Sequence, residues 1–323
     1  MSTVWYCILG ALFATYFALG GLDQGVAMLL PVLRGDGERR AALNAIGPMF
    51  LGNEVWIVGA AGVLIAAFPR LEGELFGAAY PVLVAAVLGL LALNAGVQLR
   101  SRGRRRGGFD ALIAASGVTL ATAWGLLFGV LLHGVALTAD VHVHGLAPLA
   151  APEVWFTALA NVLLVLANGA AYLLWKRRDE RMRRLVARLA PIAGGVCALA
   201  IGGWYLAAPA GIRNPVAGTV LGGAIVAATL AAAALARRGA AGRAFGFTAV
   251  ACALPVVAAA SALFPTVLAS TVDPGATVTV DAAAAGRDTL RLLALGAAPL
   301  LPVLVAVQAA CWWLFRRRTS LYW

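Results

Sequence analysis

Ile46-Gly-Pro-Met-Phe-Leu-Gly-Asn-Glu-Val-Trp56 opens a long apolar run and carries two polar side chains into it. Proline suits the first turn of a helix, so Pro48 predicts a helix start, and the run that follows is long enough to cross a bilayer. Asn53 and Glu54 then sit about two turns inside the apolar layer. One apolar run earlier, Gly20-Gly-Leu-Asp-Gln-Gly25 holds Asp23 in the same kind of setting. A charged group at membrane depth costs about 3 kcal/mol or more, so an acid kept there is a functional-site hypothesis by default.

Working outward, the 323 residues are 62% apolar and only 12% charged. So few charges cannot cover a soluble surface, and low-charge runs of this length cannot be strands, because a bilayer leaves open sheet edges unsatisfied. The composition predicts an all-α, polytopic integral membrane protein. Nine spans are expected near 5–33, 48–69, 77–99, 109–133, 153–175, 186–208, 215–236, 243–267 and 289–315. They form a single membrane domain over 1–323: a four-helix bundle over about 1–134, then a second bundle plus one extra helix over about 153–318.

The links alternate in charge. Arg34, Arg39, Arg40; Arg100 to Arg106; Lys176 to Arg188; Arg237, Arg238, Arg243; and Arg316 to Arg318 put 21 of the 25 basic residues on one side. Only Arg70, Arg213, Arg287 and Arg291 fall on the other. The positive-inside rule then predicts an outer N-terminus and a cytoplasmic C-terminus. Arginine over lysine and the alanine bias suggest a GC-rich bacterial genome, and the expected location is a bacterial plasma membrane. The net charge of +11 is spent on these links. No aromatic platform accompanies it, so the bilayer is the expected partner and nucleic acid is not. Cys7, Cys197, Cys252 and Cys311 each lie in an apolar stretch with no C-x-x-C pair, which predicts small buried hydrophobes and no metal site.

Counting residues from the inner ends puts Asp23 about 15 Å deep and Glu54 about 9 Å deep, both in the cytoplasmic half. Gln24 and Asn53 offer amide partners beside them. Such acids either relay a proton or hydrogen-bond a neighbouring helix, and the residues alone leave both open. His142 and His144 lie in an outer loop and His133 ends a span. No histidine sits mid-span, so the chain is expected to ligate no haem, and no catalytic residue is expected. Tryptophans and tyrosines near span ends read as an interfacial belt.

The order of motifs resembles a known family. Tyr16-Phe-Ala-Leu-Gly-Gly-Leu-Asp-Gln-Gly25, Met28-Leu-Leu-Pro31, Arg39-Arg40, Ile46-Gly-Pro48, Gly52-Asn-Glu-Val-Trp56 and Phe68-Pro69 are similar to subunit II of the cytochrome bd-type quinol oxidases. Phe128-Gly129, Asn168-Gly-Ala-Ala-Tyr172 and Phe264-Pro265 extend the likeness. The resemblance implies a haem-free second subunit, with Gly47, Pro48, Gly52 and Trp56 as structural motif positions. It implies a heterodimer with a large subunit (subunit I) that carries haem b, haem d and the quinol site, and leaves room for a small single-span subunit. It implies a complex that oxidises quinol and reduces oxygen to water with protons drawn from inside. One departure bears on mechanism. The family's Trp-Asp pair is Phe50-Leu51 here, and that aspartate is associated with proton uptake, which leucine cannot perform. This loss motivates the alternative of a transporter or non-catalytic scaffold on the same fold.

Overall fold

A computed structural model describes residues 1–103, 106–138, 147–207 and 212–315. In chain order the helices are α1 (Ser2–Leu29, extended by a 3-10 turn to Val32), α2 (Gly35–Ile46), α3 (Phe50–Ala67), α4 (Pro69–Ala78), α5 (Tyr80–Arg100) and α6 (Arg106–His133). They continue as α7 (Pro152–Arg177), α8 (Glu180–Ala207), α9 (Pro215–Arg237), α10 (Ala241–Leu263), α11 (Val280–Ala283) and α12 (Arg287–Leu314). Nine helices among the described residues are long and apolar enough to cross a membrane, as the sequence predicts.

Two expectations need adjustment. The second span does not begin at Pro48. The backbone of α2 continues through Gly47, whose N–H reaches Leu43 O at 2.9 Å. Pro48 has no N–H to prolong that ladder. The chain therefore turns at Gly47 to Met49, and α3 starts at Phe50. The links around 35–46 and 69–78 are also not plain connections. They fold as α2 and α4, short helices whose charges keep them out of the spanning layer.

Helix α1 is central and packs against α3, α6, α7 and α10. Its contact with α7 is backbone on backbone. A Cβ on Gly25 would stand 2.1 Å from Val165 O, and one on Gly169 would stand 2.3 Å from the Gly25 carbonyl carbon. Small residues permit such approach where no hydrophobic force between helices operates. Buried amides fasten α7 further. Asn161 donates to Ala121 O at 2.7 Å, and Asn168 donates to Ala18 O at 3.0 Å and accepts from Thr248 at 2.9 Å. Tyr172 donates its hydroxyl to Ala45 O at 2.6 Å, tying α2 to the same helix.

Helix α12 is the opposite case, with only Leu290 and Gln308 buried and with Pro299 and Pro302 inside it. It leans on α3. The Trp5 indole holds its first turn through Leu290 O at 3.3 Å. At its other end Trp312 stacks on Trp175 and Phe245, and Lys176 donates to Phe315 O at 2.6 Å.

Two ends close the bundle. On the side of the α1 start, β1 (Thr266–Leu268) pairs antiparallel with β2 (Val278–Thr279). Ser270 fastens this cap by donating to Leu137 O at 2.7 Å and accepting from the Asp273 N–H at 3.0 Å. On the opposite side, Arg100 binds Asp110 at 2.5 Å and Asp36 at 2.8 Å, while Arg39 reaches Asp110 at 3.1 Å and Arg106 reaches Asp36 at 2.6 Å. His142 and His144, and the arginines at 104, 105 and 316–318, lie outside the described residues.

Candidate functional site

Asp23 projects from α1 into the protein and is 3% exposed. Asn53 on α3 donates to its Oδ2 at 2.9 Å and also approaches Leu19 O at 3.3 Å. The amide of Gln308 on α12 meets Asn53 Oδ1 at 2.9 Å. A half-turn of that amide would instead pair it with Gly52 O at 3.2 Å and the Trp312 indole N–H at 3.1 Å. Gly52 faces this amide, and a Cβ on it would stand 3.5 Å from the Gln308 side-chain oxygen, an ordinary contact. Asp23 Oδ1 and Gln24 Oε1 are buried with no hydrogen-bond partner among the described residues, and Gln24 spends its amide on the Tyr16 hydroxyl at 3.1 Å.

Glu54 points elsewhere. Successive residues of a helix face about 100° apart. With Asn53 turned toward α1 and α12, Glu54 turns toward α5. There Asn94 donates to its Oε1 at 2.5 Å and to Leu90 O at 3.0 Å. Glu54 is half-buried. The two acids the sequence groups together thus share no hydrogen bond. One is enclosed among helices and the other lies at the edge of a cleft between α3 and α5, which scarcely touch.

Of the motif positions, Gly47 and Pro48 form the turn before α3, Gly52 faces Gln308, and Trp56 is buried with its indole N–H unpartnered. Leu51, where the family pattern has aspartate, is 59% exposed on the outward face of α3. Two polar residues join the site without having been singled out as site residues from sequence: Asn94 and Gln308. The available signal was their type, a carboxamide inside an apolar span.

A cavity of about 400 Å³ lies between α1, α3, α5 and α6, lined by residues such as Phe13, Ile57, Val58, Val87 and Leu127. A second, of about 120 Å³, lies among α6 to α10 beside Asn161, Cys197 and Trp204. Neither lining contains a histidine or methionine. His133 Nδ1 lies 3.3 Å from Glu153 Oε1 at the end of α6. Among the described residues no three His, Cys, Asp or Glu side chains group as metal ligands.

Residues 1–315 match the family described as cytochrome bd terminal oxidase subunit II. The chain belongs to that family. Among relatives of this bd oxidase subunit II chain, cytochrome bd-I ubiquinol oxidase subunit 2 of Escherichia coli (strain K12) is 29% identical over 214 residues. That match covers 63% of this chain and 56% of the relative, so the likeness reaches little more than half of that protein. Cytochrome bd ubiquinol oxidase subunit 2 of Bacillus subtilis (strain 168) is 27% identical over 330 residues, covering 99% of this chain and 97% of the relative. In fold, the chain superposes on a chain of the bd oxidase from Geobacillus thermodenitrificans with a TM-score of 0.76 at 16% identity, over 97% and 98% of the two chains. The family's helical membrane fold is therefore this chain's fold.

Proposed function

We propose that this chain is the second subunit of a bd-type terminal oxidase in a bacterial plasma membrane. Its complex oxidises quinol and reduces oxygen to water, while the chain supports assembly and presents Glu54 to protons taken from the cytoplasm. The observation that carries the proton role is the contrast in burial between the two acids. A half-buried carboxyl at membrane depth, on a face this chain does not cover, needs a polar neighbour from elsewhere. Membership of the subunit II family supports a subunit I as that neighbour.

In this reading haem b, haem d and quinol are bound by the partner. What supports the division is the pair of apolar cavities without histidine or methionine, together with His133 held at a helix end by Glu153. Among the described residues, neither cavity lining offers a histidine or methionine to a haem iron. The N-terminus lies outside and the C-terminus inside, which the arginine distribution supports. A small single-span subunit is a further proposed partner. Within the chain, α1, α3, α5 and α6 form one four-helix bundle and α7 to α10 a second. Helix α12 is the extra helix that the partner covers.

Co-expression with the candidate large subunit tests this. The expected outcome is a purified complex with haem optical bands and quinol-dependent oxygen uptake. A complex without either, or a chain that purifies alone and is thermally stabilised by a transported solute, would instead favour the scaffold or transporter reading. Full turnover after Glu54→Ala would remove the proton role and leave the subunit assignment standing.

A further inference from the structure

The cleft between α3 and α5 leads into the larger apolar cavity, and its rim residues Val58 and Val87 are 68% and 48% exposed. One turn nearer the arginine-rich face, the cleft is crossed by one side-chain hydrogen bond, Asn94 to Glu54. Asn94 is itself fixed, because the same amide nitrogen also holds Leu90 O on its own helix. The carboxyl of Glu54 is thereby tied at Oε1, and Oε2 has no hydrogen-bond partner among the described residues.

The two edges of the cleft differ on the stretch between Glu54 and the arginine-rich face. On α3 the edge is Leu51, which has no protic atom. On α5 it is Asn94 and then Gln98, four residues on and so about 6 Å further along the same stripe, and exposed. Beyond Gln98 the helix ends at Arg100 in the ion-pair cluster with Asp36 and Asp110.

We propose that Asn94 is the positioning residue for proton handling at Glu54, and that the route from the inner face follows the α5 edge past Gln98 and Asn94 instead of the α3 edge at Leu51. This rests on the reading of Glu54 as a proton-handling group. A proton from cytoplasmic water binds Glu54 at Oε2 and leaves the same oxygen for an acceptor on the partner subunit. Asn94 neither gains nor loses a proton, and its amide holds Oε1 in both states. A carboxyl free to swing into the cleft would lose the alignment that proton transfer needs.

The test uses the co-expressed complex, with haem bands as the measure of assembly and quinol-driven oxygen uptake recorded across pH. Asn94→Leu is expected to keep the haem bands, to lose about tenfold in uptake, and to shift the pH at which uptake falls. Asn94→Gln is expected to recover part of that loss, and Gln98→Leu to lose less than Asn94→Leu. Glu54→Gln should lose at least as much as Asn94→Leu, and the double variant no more than Glu54→Gln alone, because the two act as one unit. An Asn94→Leu complex with full uptake and an unshifted profile would overturn the proposal. So would additive losses, or loss of haem bands in both Asn94→Leu and Asn94→Gln. Full uptake in Glu54→Gln would instead overturn the reading beneath it.

Discussion

Asp23 and Glu54 stand on packed neighbouring helices in the same half of the chain's spans, yet they occupy opposite kinds of place. Asp23 is enclosed, 3% exposed and held by Asn53. Glu54 stands at the edge of an open cleft, and among the described residues its hydrogen-bond partner is Asn94. The difference is a matter of helix face, not of residue type. It teaches that an acid's depth says little about its availability.

The comparison breaks most completely if its enclosed side is opened. Gly169→Val would drive a side chain into the α1 backbone, and the expected outcome is loss of folded protein, read as solubilised yield and thermal stability. Next in size is Asp23→Leu, which leaves the Asn53 amide short of an acceptor in a dry setting. A loss of about 2 kcal/mol is expected in equilibrium unfolding in detergent, with Asp23→Asn milder. If Glu54→Leu cost as much, the contrast between the two sites would be wrong. Glu54→Gln should change stability by less than about 0.5 kcal/mol while lowering oxygen uptake of the proposed complex about tenfold or more.

The smallest effect concerns pH. Partial desolvation pushes Asp36 up, but hydrogen bonds and charge from Arg100 and Arg106 outweigh it and hold Asp36 below the usual carboxylate range. A carboxyl depressed in the folded state adds stability above its unfolded pKa and loses it as pH falls through the folded one. Asp36→Asn is therefore expected to flatten the acid limb of a stability profile slightly, since the group is exposed and its pairs are screened.

The sequence makes some of this plain and hides the rest for physical reasons. Nine spans are legible because a run of about 20 apolar residues has few other uses. Asp23, Asn53 and Glu54 stand out because ionisable groups are rare at that depth. That Asn53 and Glu54 face different neighbours is not legible, because it depends on which helices flank α3. Helices α2 and α4 escape notice because Glu38, Arg39, Arg40, Glu72 and Glu74 read as a polar link, although an interfacial helix needs the same charges. Gln308 is a lone amide in a long apolar run, and nothing local marks it as the partner of a residue 255 positions away.

The two prolines of α12 set terms for whatever lies against it. Each ring removes a backbone donor, so the carbonyl oxygens of Leu295 and Ala298 lose their usual helical partners. In hydrocarbon those lone pairs would stay unmet. A neighbour bringing a hydroxyl, or a trapped water, to that stretch of α12 would settle the shortfall, so the grip on this helix is written partly in its main chain.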